Sequence, residues 1–138
     1  MPDTYADLLA RNLRAARAAT APKLSQADAA ERMRALGFRS WLGQTVSASE
    51  RGRRRITAEE ILGLCVALEC PPGALLLPVH GSPDIALPGG QLVRLGRDAH
   101  EITLLTASRR DGTPAPHAWD GNIPRLRTVE TDIEEGTR

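Results

Sequence analysis

The stretch that decides the fold runs from Trp41 to Arg55, WLGQTVSASERGRRR. Counting from Gln44, the residues three, four and seven places on are Ser47, Ala48 and Arg51, which share one face at 3.6 residues per turn. That face carries a long amide, small residues and a guanidinium. Such a face suits a helix that enters the DNA major groove, where Gln can pair with adenine N6 and N7 and Arg with guanine O6 and N7. Small residues between the long ones let the backbone come close to the bases. The opposite side, Val46, Ser49 and Glu50, is left for packing. Gly52 stands where a helix most often needs a left-handed residue. Arg53, Arg54 and Arg55 follow it and offer concentrated positive charge to a phosphate backbone. An arginine run alone reads as an ordinary solvated surface, so the residues on either side carry the decision.

Upstream, a helix is predicted over about 5–19, with Thr4 as cap and Asp7 three residues later, and with an apolar stripe of Leu8, Leu9, Leu13 and Ala16. Pro22 breaks it. Ser25 caps a second helix, with Asp28 three residues on and a small inner face of Ala29, Ala30 and Met33. Gly37 ends this helix, and Phe38 and Trp41 in the turn are expected to plug the core. Downstream, Thr57 with Glu60 forms a capping box before EEILGLCVALE, a segment apolar on so many sides that it is either wholly buried or faces a second subunit. Pro72 opens a short fifth helix through Leu77. Five short helices in this span define a compact all-α unit.

The strings LSQADAAERM at 24–33 and TVSASERGRRRITAEEILGLCVALECPPGALL at 45–76 resemble the phage-repressor-like helix-turn-helix regulators, the xenobiotic-response-element family. The resemblance covers roughly 5–77. It implies that the second helix lies across the DNA backbone while the third reads the major groove. Carried over by position, Gln26 would contact phosphate or a flanking base, Gln44 and Ala48 would lie over bases, and Thr45, Ser47, Arg51 and Arg53 would flank or hold the backbone. It also implies an ion pair between Arg17 of the first helix and Glu50. Four departures stand out. The link between the second and third helices is longer than usual, Gly43 replaces a polar base reader, and Leu42 occupies a position where a capping Ser is common. Ser49 replaces an aliphatic residue on the inner face, which predicts weaker packing there.

Composition sets the outer bounds. The chain has 138 residues, few aromatics, and Lys23 as its one lysine. Residues 1–78 hold eleven Lys or Arg against eight Asp or Glu, while 79–138 hold seven against nine, so a basic front half precedes an acidic back half. No apolar run reaches the ~20 residues of a membrane span, and no leader pattern precedes Leu8, so a cytoplasmic, nucleoid-associated location is expected. Cys65 and Cys70, five apart, make no CxxC motif and are expected to be buried free thiols that do not face each other.

The back half is less periodic. Short strands are expected over 85–87 and 91–95, joined by a turn at Gly89-Gly90, and a helix is expected over 98–110 with Asp98 and Glu101 as its box. The segment ETDIEEG reads as an acidic tail. The fold class is therefore mainly α: a five-helix repressor-like domain over 1–77, then a less regular extension over 78–138 with a short hairpin and one helix. A Ser-Lys self-cleaving site is excluded because Lys23 lies in the helical unit. His80, His100 and His117 are scattered, no HExxH occurs, and neither metal nor cofactor is implied. No enzyme reading survives. Two functions remain: a sequence-specific DNA-binding regulator, most readily a homodimeric repressor bound to double-stranded DNA, or an antitoxin-like or adaptor protein whose residues 79–138 bind a protein partner.

Overall fold

The computed structural model describes residues 3–79, 83–95, 102–107 and 127–131, the last two segments as backbone. The elements, in order, are β1 (Asp3–Thr4), α1 (Tyr5–Ala18), α2 (Gln26–Ala35), α3 (Gly43–Glu50), α4 (Ala58–Ala67), α5 (Pro72–Leu76), β2 (Asp84–Ala86), β3 (Leu92–Leu95), β4 (Ile102–Ala107) and β5 (Arg127–Thr131). The five helices form where the local signals place them. Thr4 and Ser25 cap α1 and α2, each accepting from the amide of the acid three residues on while that acid accepts from the cap amide. Thr57 accepts from the Glu60 amide at 3.2 Å and caps α4.

The core is aliphatic, as the scarcity of aromatics requires. Leu13, Leu24, Ala29, Ala30, Met33, Val46, Leu64, Ala67, Leu68 and Leu75 pack around Trp41, which is 1% exposed. Small residues on α2 let it lie close to α3: a Cβ added at Gly43 would stand 3.7 Å from the Ala27 backbone. Three buried residues among those described are polar or charged, Asn12, Ser49 and Glu50. Asn12 of α1 is buried and its amide donates to the carbonyls of Leu75 and Leu77 at 2.9 and 2.7 Å. Those carbonyls lie at the end of α5, where helical partners run out. Asn12 thus ties α5 to α1, aided by the Tyr5 hydroxyl, which donates to the Leu76 carbonyl at 3.2 Å.

Three of the helices end in the same way. At the ends of α2, α3 and α4 the amide of the second residue past the cap bonds back to the carbonyl five positions earlier: Phe38 to Met33, Arg53 to Ala48 and Cys70 to Cys65, at 3.1, 3.0 and 3.0 Å. Each turn needs one left-handed residue, supplied by Gly37, Gly52 and, at α4, Glu69.

Beyond the helices lies a five-stranded sheet in the order β1-β2-β3-β4-β5. The expected hairpin is present: β2 and β3 are antiparallel with Ile85 opposite Val93, both buried, and Gly90 turns the chain with φ 87°. The helix expected over 98–110 is corrected. Residues 102–107 form β4, antiparallel to β3, with Leu92 opposite Leu105. The flanking positions of that expected helix lie outside the described residues. Ile102, Thr103 and Thr106 are strand-favouring, and pairing with strands on both sides outweighs an Asp-Glu capping signal that helices and turns share. The acidic-tail reading is corrected in part as well, because Glu130 and Thr131 belong to β5, parallel to β4; its remaining residues lie outside the described ones. Finally, β1 pairs with β2 in parallel, Asp3 opposite Ile85 and Thr4 opposite Ala86, joining the segment just before α1 to the sheet.

Candidate nucleic-acid interface

The inner face of α3 is fixed by three contacts. Val46 enters the core at 1% exposure. Ser49, also buried, donates its hydroxyl to the Thr45 carbonyl one turn back at 2.8 Å. Its polar group is therefore satisfied where an aliphatic side chain was the simpler solution. Glu50 is the third. Its side chain is 1% exposed and it accepts from Arg17 Nε at 2.5 Å, from Arg17 Nη2 at 3.1 Å and from Gln26 Nε2 at 2.9 Å. The Arg17 guanidinium also donates to the Leu24 carbonyl at 2.9 Å.

One carboxylate on α3 thus gathers a guanidinium from α1 and an amide from α2. Burial alone would push the Glu50 carboxyl upward, but the hydrogen bonds from Arg17 and Gln26 and the Arg17 charge outweigh it and hold it below the ordinary carboxylate range. The same bond raises Arg17. The negative charge of Glu50 is thus matched within the protein by the Arg17 guanidinium.

The start of α3 solves its capping problem from within. Leu42 at the cap offers no side-chain acceptor, and the Thr45 hydroxyl instead accepts from the Leu42 amide at 3.0 Å. Thr45 is thereby engaged in the helix terminus. Gln26 is likewise engaged, its amide nitrogen turned to Glu50.

The outer face is left to Gln44 and Arg51, both exposed, with Ser47 and Ala48 half-buried between them. Arg51 Nε lies back against the Ser47 carbonyl at 3.3 Å. Gly52 then adopts φ 67°, and the turn it permits sends the chain past the end of α3.

The arginine run divides at this point. Arg53 and Arg55 are exposed. Arg54 turns inward, where it binds Glu60 through both Nη atoms at 2.6 and 2.8 Å and lies 4.9 Å above the Trp41 ring. Pairing lowers the Glu60 carboxyl and raises Arg54. Sequence spacing does not separate these three neighbours; only the position of Glu60 and Trp41 in the folded chain does. A cleft of about 490 Å³ opens beside the run, between the first turns of α1 and the loop 52–56, lined among others by Tyr5, Leu9, Arg53 and Arg55. Among the described residues no group of three metal-ligating side chains occurs, and no helix is long and apolar enough to cross a membrane.

Two consecutive helices, the first pinned against the second and the second with one exposed polar face, define a helix-turn-helix domain within a five-helix unit. No family model and no curated protein matches the chain. Among solved structures, the restriction-modification controller protein C.AhdI from Aeromonas hydrophila is 34% identical, with the match covering 51% of this chain and 94% of that one at a TM-score of 0.41. With that identity over nearly the whole of the controller protein, the chain belongs to the phage-repressor-like helix-turn-helix regulators.

Proposed function

We propose that the chain is a sequence-specific DNA-binding regulator of transcription, acting as a repressor, which reads the major groove with α3. The observation that carries this reading is the Arg17–Glu50–Gln26 cluster. It secures the inner side of a short helix and leaves Gln44, Ser47, Ala48 and Arg51 outward, flanked by exposed Arg53 and Arg55. Gln44 and Ala48 lie over bases, Arg51 takes a base or phosphate, and Arg53 and Arg55 hold the backbone. Arg54, Thr45 and Gln26 support the surface through the bonds described above, and Gln26 keeps its side-chain oxygen for an approaching group. The similarity to a restriction-modification controller favours this regulator over an adaptor.

A single domain offers a small footprint, and the repressor acts as a homodimer on a two-fold site. Leu62 and Val66, one turn apart on α4, are each 63% exposed and give an apolar face for a second copy. The sheet over 84–131 is assigned to the dimerisation or regulatory role of the extension. Selection from a random duplex library at physiological salt, with wild type beside Gln44→Ala, tests the proposal. A two-fold motif with half-sites about one helical turn apart, altered in the variant, is the expected result. Salt-sensitive binding without any motif would refute it.

A further inference from the structure

The turn that ends α4 differs from the other two in composition. Glu69 rather than glycine takes the left-handed position, with φ 53°, and its amide bonds to the Val66 carbonyl at 3.3 Å while the Cys70 amide bonds to the Cys65 carbonyl at 3.0 Å. This geometry folds the residue after the left-handed one over the helix's final turn, so that the side chains at its first and sixth positions meet. At α2 those positions hold Met33 and Phe38. At α4 they hold Cys65 and Cys70, the chain's two cysteines. Their thiols interact across this turn, and both side chains pack, half-buried, against the core. The expectation that these cysteines do not face each other is therefore corrected: a helical wheel separates them, and the left-handed turn brings them together.

We propose that Cys65 and Cys70 are an oxidisable dithiol which closes to an intramolecular disulfide across the end of α4, with a low-molecular-weight disulfide as oxidant. A direct backbone hydrogen bond between the two residues, Cys70 N–H to the Cys65 carbonyl at 3.0 Å, holds them at the close approach that a disulfide demands. Cys65 is the first nucleophile, because burial raises the Cys70 thiol further. Cys65 loses its proton to solvent and attacks one sulfur of the oxidant. That S–S bond breaks, and the departing small thiolate takes up a proton. Cys70 then loses its proton and attacks the Cys65 sulfur of the mixed disulfide, releasing the second small thiol. Two protein S–H groups and one small S–S become one protein S–S and two small thiols. Burial raises both thiols, Cys70 to about 11, which slows the first attack. The second attack comes from a thiol already in contact, so the mixed disulfide does not accumulate.

The test incubates the folded full chain with oxidised glutathione, blocks remaining thiols with iodoacetamide and reads intact mass and the tryptic peptide 56–94. Wild type is expected to lose two hydrogens on that peptide, carry no glutathione and remain a single chain without reductant. Cys70→Ser is expected to keep one glutathione on Cys65. A wild type that carries glutathione, links to a second chain through sulfur, or stays fully alkylatable under conditions that load Cys70→Ser overturns the proposal. So does a Cys70→Ser variant that remains unmodified while Cys65→Ser takes glutathione, since the order of attack then fails.

Discussion

Removal of the Arg17 side chain leaves Glu50 buried at 1% exposure with the Gln26 amide as its remaining side-chain donor. Breaking a buried pair from one side costs about 3–5 kcal/mol, because the stranded charge has lost its solvent as well as its partner. Arg17 is 13% exposed and Gln26 remains, which places Arg17→Ala near the lower bound, about 3 kcal/mol. Urea unfolding followed by far-ultraviolet circular dichroism measures this directly. The pH dependence adds a sign. In wild type the Glu50 carboxyl sits below its unfolded value, so its contribution is present above the ordinary carboxylate range and is lost as pH falls through the folded value. In Arg17→Ala the Gln26 bond and the Arg14 charge remain, but with the Arg17 bond and charge gone burial raises the carboxyl from its wild-type position. The variant then takes up its proton at a higher pH than wild type, and its deficit against wild type shrinks as pH is lowered through the ordinary carboxylate range. Glu50→Gln in the Arg17→Ala background removes the stranded charge and restores much of the loss at pH 7. A deficit below about 1 kcal/mol, unchanged with pH, would refute the view that this pair is buried and cohesive.

Gln44→Ala is expected to weaken binding by about 1–3 kcal/mol at one or two base positions and leave the others as they were, measured by titration against single-base variants of the selected site. Arg53→Ala should weaken binding to all sequences and lower the slope of log affinity against log salt by roughly one phosphate contact, with no change in unfolding midpoint. Arg54→Ala should do the opposite, losing on the order of 2 kcal/mol of stability with its bonds to Glu60 and its place over Trp41 while sequence preference is kept. Asn12→Ala strips a donor from the buried Leu75 and Leu77 carbonyls and should destabilise by about 1–3 kcal/mol in thermal unfolding, an effect that a serine is too short to rescue.

The elements legible in the sequence are those written in local signals. Thr4-Asp7 and Ser25-Asp28 each specify a helix start through bonds spanning three residues, and Gly52 marks the end of α3 because few other residues take its φ. The outward face of α3 follows from period alone. What the sequence concealed are choices among partners distant in the chain. Nothing local distinguishes Arg54 from Arg53 and Arg55 until Glu60 and Trp41 are placed beside it. Asn12 looks like one polar residue on an amphipathic helix, and its duty to the end of α5 depends on a contact across the bundle. Thr45, which the resemblance places beside the DNA backbone, also serves the Leu42 amide, a bond that its position in the sequence does not reveal. The strand at 102–107 lies in a segment with signals of both kinds, and pairing with β3 and β5 decided between them. The contact between the cysteines was hidden because Glu69, unlike glycine, does not announce a left-handed turn.

The pairing of β1 with β2 carries a consequence for the order of assembly. Asp3 and Ile85 stand at the two ends of a loop that contains all five helices, so bringing them together from an unfolded chain forfeits more conformational freedom than any contact between consecutive helices. Once the bundle has formed, its own shape holds those ends within reach and most of that entropy has already been given up. The helical unit is thus the template on which the sheet's first edge is laid, and the two residues that begin the described chain are among the last to find their place.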